Sequence, residues 1–236
     1  MSSTFRKIAV SAINIADKAF GLRAMIRLDS EQNQKKHPLS GDREIEWSWV
    51  LSHLPKESST VLDFGCVDSP LTSIAAHLGH KVTGVDLREI GYEMPGMNFI
   101  RGDILKLDFG QTQFDSIINC SAIEHVGLEG RYGSEENSDG DLLGMKRLHS
   151  LLAGRGKMIM TIPVGIDEVV VPFHRIYGHK RFPLLVEGYQ IHEEEYWHKR
   201  DKNDRWIVCD KDTAFAVRGS FEAYALGLFV LTKRTS

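Results

Sequence analysis

From residue 60 onward, short apolar runs alternate with stretches of helical periodicity, and this alternation constrains the fold more than any other feature. The runs TVLDF, KVTGVDL, MNFIRGD, FDSIINCSA and GKMIMTIPV read as strands, and PLTSIAAHLGH and DLLGMKRLHSLLAG read as helices, the second stopping at Gly154. Strands that are apolar on both faces and separated by helices form βαβ units with a parallel, doubly covered sheet. The closing run YALGLFVLTKR, preceded by GYQIHEEEYW, reads as an antiparallel finish to that sheet. Glu193–Glu195 within it read as a solvated face.

Composition narrows the class. Among 236 residues, 42% are hydrophobic and 26% charged, as in ordinary globular domains. The net charge of −3 argues against a nucleic-acid partner. Three cysteines, Cys66, Cys120 and Cys209, have no CxxC spacing, so they read as reduced thiols and no metal site is expected from them. No apolar run has the length of a membrane-spanning helix and no secretory leader is read at the start, so the expected compartment is the cytoplasm. Residues 1–28 carry five basic residues against Asp17, with apolar positions at helical spacing. Such a helix docks on a domain or lies on a membrane surface as a peripheral contact. Residues 29–42 read as a polar linker or lid, and residues 42–54 as a helix with Ser40 as its cap. The expected organisation is therefore residues 1–58, N-terminal helices and linker packed on or covering the domain, and residues 59–236, the domain itself.

The stretch VLDFGCVDSP (61–70) is the chemical centre of the sequence. Gly65 follows a strand directly, and Ser69-Pro70 starts a helix with an N-cap and a proline at the first turn. A dinucleotide fingerprint beginning at Gly65 requires glycines at 67 and 70, where this chain has Val67 and Pro70. A pyrophosphate would meet a β-branched side chain there, which disfavours an NAD-dependent oxidoreductase. No GK[ST] follows, so a P-loop is excluded.

VLDFGC, GVDL, RGDI and FDSIINCSAIEHV, in this order and spacing, resemble the cofactor-binding motifs of class I S-adenosylmethionine-dependent methyltransferases over residues 60–165. The resemblance implies an α/β, doubly wound, Rossmann-like fold with a seven-stranded, mostly parallel sheet and an antiparallel last strand. It implies S-adenosyl-L-methionine as cofactor, with Asp63, Gly65 and Cys66 facing the methionine part. Asp86 would accept from the ribose hydroxyls beside Leu87, Asp103 from the adenine amine with Ile104 on the ring, and Asn119 and Cys120 would line the methionine side. Each acid has a plainer reading as a helix cap, but four acids and amides at successive strand ends lie on the edge where open α/β sheets bind ligands. The absence of an N/D-P-P-Y/F motif after FDSII argues against transfer to a flipped base.

Two loops frame the acceptor side. The first follows the fourth strand and carries Glu124, His125 and Tyr132; the second follows the fifth and carries His174, Arg175 and Tyr177. His125 and His174 are the candidate bases, since histidine titrates near neutrality. Glu124, Tyr132, Arg175 and Tyr177 are candidate acceptor contacts, with Arg175 suited to a phosphate or carboxylate. Asp139 and Asp141 are conceivable ligands for a magnesium ion, but turn chemistry explains Asp-Gly-Asp more simply. This loop pattern resembles a methyltransferase-like family linked to polysaccharide and glycolipid assembly, which implies carbohydrate modification with a small polar acceptor such as a sugar or sugar-phosphate. The competing reading is a non-catalytic module that keeps the fold as a scaffold.

Overall fold

The computed structural model describes residues 41–93, 95–129, 132–133, 135–200, 204–220 and 223–234. The basic helix read over residues 1–28, the linker up to residue 40 and the Ser40 cap lie outside these.

The first described element, α1 (Asp42–His53), is capped by Glu44, whose carboxylate accepts from the Gly41 amide at 3.3 Å. The alternating pattern follows as β1 (Thr60–Phe64), α2 (Leu71–His77), β2 (Lys81–Asp86), β3 (Met97–Arg101) and β4 (Phe114–Cys120). A 3-10 turn (Ile123–His125) leads to α3 (Gly140–Leu151) and β5 (Leu152–Val164). Then come β6 (Glu168–Val170), β7 (His174–Ile176), α4 (Arg181–Leu185), β8 (Tyr189–His198), β9 (Ile207–Cys209), α5 (Lys211–Ala216) and β10 (Ala225–Lys233).

The main sheet runs β3-β2-β1-β4-β5-β10-β8-β9. Strands β1 to β5 are parallel, and β10 lies antiparallel between β5 and β8. The sheet has eight strands where seven were expected. The extra one, β9, is only three residues long, too short for periodicity to reveal, and it pairs antiparallel with β8. Gly154 does not end a helix: α3 stops at Leu151 and Gly154 lies within β5, because Leu152 already pairs with Phe114 of β4.

Side chains alternate strictly across the sheet, which explains the continuous apolar runs. Leu62, Ile117, Met158 and Met160 enter one core, and Val61, Ile118 and Ile159 enter the other beneath α1 and α2. The order in which successive strands are added reverses between the parallel neighbours β1 and β4, leaving a crevice at their carboxyl ends. Among the described residues, no helix is long and apolar enough to cross a membrane.

Candidate functional site

At that crevice Gly65 adopts φ +77°, and its amide donates to the Val85 carbonyl at 2.8 Å. A Cβ on Gly65 would fall 2.5 Å from the Cβ of Ala122, so the turn and the β4 loop approach each other as only glycine allows. Val67 then directs its amide at Asp86 Oδ2, 3.0 Å away. Oδ1 of Asp86 accepts from the Arg88 amide at 2.9 Å. Pro70, not Ser69, takes the N-cap position of α2, and Ser69 instead accepts from the Leu71 amide at 3.1 Å across the turn that leads into it. The apparent defect in the loop is thus a different use of it, in which a backbone N–H orients the acid at the end of β2.

A cleft of about 820 Å³ opens over these strand ends. Of the expected cofactor residues, Gly65, Asp86, Leu87, Asp103, Ile104 and Cys120 line it. They follow the sheet edge from β3 to β4, with the acids at the β2 and β3 ends. Asp103 is braced by the Leu105 amide at 2.9 Å. Val67 is not part of the lining, so its side chain does not narrow the cleft.

Asp63, Cys66 and Asn119 lie behind the lining instead of on it. Asp63 is 1% exposed and accepts from the Thr72 hydroxyl at 2.5 Å, tying β1 to α2. Burial pushes its pKa up to about 7, against the lowering effect of the Thr72 bond. Asn119 is fully buried, with Oδ1 accepting from the Ile123 amide at 3.2 Å, and so shapes the turn after β4. Burial likewise raises the Cys66 and Cys120 thiols, which are inert as nucleophiles.

His125 lines the β4 end of the cleft. Its Nδ1 is 2.5 Å from the Phe173 carbonyl. A carbonyl only accepts, so Nδ1 carries the proton and Nε2 is the basic nitrogen of the neutral ring. Nε2 lies 3.8 Å from Oε1 of Glu124. Glu124 is 2% exposed, and burial raises its pKa to about 8, so at neutral pH it is largely a carboxylic acid. Tyr132 also lines the cleft, its ring edge-on to His125 at 4.9 Å and beneath the Arg88 guanidinium at 4.8 Å.

The second loop is placed differently from expectation. His174 is 5% exposed within β7, its ring against Tyr224 at 5.5 Å, and is not part of the cleft lining. Arg175 is 1% exposed and donates to the carbonyls of Val126 (2.6 Å) and Asn137 (3.1 Å), with Glu124 and Ser138 at 3.3 Å. Its donors clamp the loop after β4, so it does not serve as an anion contact. Tyr177 is fully buried and donates to Asp141 at 3.1 Å, which rules out a sugar-stacking surface. Asp141 is itself held bidentately by Arg181 at 2.5 and 2.8 Å. Among the described residues, no group of three or more His, Cys, Asp or Glu is arranged to hold a metal.

Sequence reasoning missed the contribution of α1. Arg43 and Trp47, one turn apart, reach the cleft, and Glu46 between them is fully buried. Ser121, at the end of β4, has φ +46° and also lines the cleft. The available signal was a charged pair at i, i+3 beside Trp47 on a face that otherwise packs inward.

The folded arrangement and the sequence comparisons agree. Residues 62–135 match the model described as a methyltransferase domain. The sequence likeness to that domain lies in the stretch that builds the cleft floor, from β1 to the loop after β4. Residues 104–205 also match a family described as "Caenorhabditis protein of unknown function, DUF268". A ubiquinone biosynthesis O-methyltransferase of Nitrosococcus oceani is 26% identical over 107 residues, 41% of this chain and 45% of that protein. The match therefore spans under half the length of that relative. In fold, the chain is similar to the 1,6-didemethyltoxoflavin-N1-methyltransferase of Burkholderia thailandensis, solved with S-adenosylhomocysteine (TM-score 0.53, 14% identity, covering 99% and 92% of the two chains). The N-methyltransferase NodS of Bradyrhizobium japonicum, also solved with S-adenosylhomocysteine, gives TM-score 0.53 at 14% identity, covering 84% and 90%. A TehB-like methyltransferase of Corynebacterium glutamicum gives 0.53 at 16%, covering 89% and 96%. At these identities the likeness is one of fold, the class I methyltransferase architecture.

Proposed function

We propose that the protein transfers a methyl group from S-adenosylmethionine to a small polar acceptor, with a sugar or sugar-phosphate hydroxyl as the favoured class. The observation that supports this reading most is the run of cleft-lining groups along the sheet edge: Asp103 with Ile104, then Asp86, then the open Gly65 turn, then His125.

The residues present fit such a cofactor. Asp86 is oriented by two backbone amides and is suited to a ribose diol. Asp103 and Ile104 offer an acceptor and an apolar face for a purine. Trp47 has a buried indole N–H with no hydrogen-bond partner among the described residues, which offers a donor for the amino-acid portion. The adenosyl cofactor has no phosphate, so the glycines of a pyrophosphate loop are not required. Bound there, S-adenosylmethionine supplies an electrophilic methyl on a cationic sulfur.

This chain's residues position the acceptor and accept its proton. Alignment in the cleft contributes on the order of 7–11 kcal/mol. His125, with Nδ1–H fixed on Phe173, takes the hydroxyl proton at Nε2 as the oxygen attacks, a step worth ~10²–10⁴ in rate. Tyr132, edge-on to the His125 ring, offers a sugar ring the face that Arg88 does not cover. Arg175, Tyr177 and His174 act through structure, holding the loops that carry His125.

Calorimetric titration with S-adenosylmethionine, S-adenosylhomocysteine and NAD tests the reading. Heat with both sulfur compounds and none with NAD is the expected result. No heat with either sulfur compound at high protein concentration overturns it and favours the scaffold reading.

A further inference from the structure

The wall contributed by α1 carries a charge pair that bears on which ligand charge the cleft tolerates. Arg43 lines the cleft with its side chain 42% exposed, and its Nη1 lies 2.6 Å from Oε2 of the fully buried Glu46. The other oxygen of Glu46 accepts from the hydroxyls of Thr161 at 2.6 Å and Ser121. Glu46 therefore links α1 to β5 and to the turn after β4. Ser121 is the only non-glycine residue with positive φ among the described residues, a conformation that persists only where surrounding bonds impose it. The Ser121 amide supplies a further tie, donating to the Thr161 carbonyl at 3.0 Å.

Glu46 is the strongest charge acting on Arg43, and Asp42, which accepts from the Arg43 amide at 2.9 Å and from the Tyr224 hydroxyl at 2.5 Å, is the next anion. The buried Glu124 is largely neutral at pH 7. Without Glu46, a guanidinium stripped of its direct ion-pair partner, with only Asp42 left to offset it, would face the end of the cleft that also holds Ser121 and His125. A cation and a neutral ligand of the same shape would feel that change differently, because only the cation carries a charge for Arg43 to repel.

We propose that Glu46 sets the charge selectivity of the cleft: by neutralising Arg43 and fixing Ser121 it allows a sulfonium to occupy the β4 end. This rests on the methyltransferase reading above and extends it to a residue outside the recognisable motifs. Glu46 is a positioning residue, acting through Arg43 and Ser121.

The test is the ratio of affinities for S-adenosylmethionine, a cation at sulfur, and S-adenosylhomocysteine, its neutral thioether, measured by calorimetry on the full chain. Glu46→Gln is expected to weaken the sulfonium about tenfold more than the thioether. The double variant Arg43→Gln/Glu46→Gln is expected to return the ratio to within about twofold of wild type, since it removes the pair together. Equal weakening of both ligands in Glu46→Gln, or a double variant that does not recover, overturns the proposal and leaves Glu46 a packing residue. If Glu46→Gln fails to fold, Arg43→Gln at pH 7, below the range in which Glu124 ionises, carries the test. There the remaining carboxylate is expected to shift the ratio toward the sulfonium, and an unchanged ratio overturns the proposal. A wild-type protein that binds neither compound removes the methyltransferase reading itself, whereas a wild type that binds both with an unmoved ratio removes only the role of Glu46.

Discussion

The amide of Val67 donates to Oδ2 of Asp86 across 3.0 Å, joining the turn after β1 to the end of β2. A loop that lacks two of the glycines of a dinucleotide fingerprint therefore still organises a ligand-facing acid, through its backbone and not its side chains. Asp86→Ala is expected to lower affinity for S-adenosylhomocysteine about ten- to a hundredfold by calorimetry, through lost charge-assisted hydrogen bonds. Val67→Gly should leave affinity within about threefold, because the Val67 side chain is outside the cleft lining. A large gain in the glycine variant would show that the side chain intrudes after all.

His125 and Phe173 make a prediction that needs no acceptor. With Nδ1 donating to the Phe173 carbonyl, long-range ¹H–¹⁵N spectra above neutral pH should show a protonated Nδ1 and a deprotonated Nε2. The reverse tautomer would leave no base facing the reaction. In assays of labelled methyl transfer to a panel of sugars and sugar-phosphates, His125→Ala should reduce turnover ~10²-fold or more while cofactor affinity changes little.

Two buried carboxyls give a pH dependence of stability with a definite sign. Burial raises Asp63 to about 7 and Glu124 to about 8, both above their unfolded values near about 4. Below pH ~4 both states hold the protons and nothing is lost. As pH rises from there through 7 for Asp63, and through 8 for Glu124, the unfolded chain ionises more readily and the folded state loses stability. Each pH step in that window is worth about 1.4 kcal/mol per group. Asp63→Asn and Glu124→Gln escape the loss, so their melting temperatures relative to wild type should rise between pH 5 and 8.5. A constant difference across that range would show that the carboxyls are not neutral in the fold.

Arg175 organises the loop bearing His125 by donating to backbone carbonyls from Glu124 to Ser138. Arg175→Met leaves those carbonyls unsatisfied and should destabilise the protein by about 3 kcal/mol, with faster hydrogen exchange over residues 123–129. Asp141→Asn, which breaks the bidentate pair with Arg181, should cost about 3–5 kcal/mol by thermal or denaturant melting. Were Arg175 a ligand contact instead, its variant would keep full stability and lose only affinity.

Strand periodicity and the turn chemistry around Gly65, Ser69 and Pro70 act over a few residues, so the parallel sheet, its antiparallel finish and the acids Asp86 and Asp103 at the strand ends were legible in the chain. His125, read just past the end of β4, lines the cleft there. Tertiary structure decided which polar residues face the cleft and which are buried behind it. Asp63 and Asn119 share strand ends with lining residues, yet the pleat turns them inward, and Arg175 and Tyr177 are polar side chains whose partners lie about 35–50 residues away in the chain. The role of α1 was least legible of all. Glu46 meets Ser121 and Thr161 across 75 and 115 residues, and a contact at that separation leaves no periodic trace in the sequence.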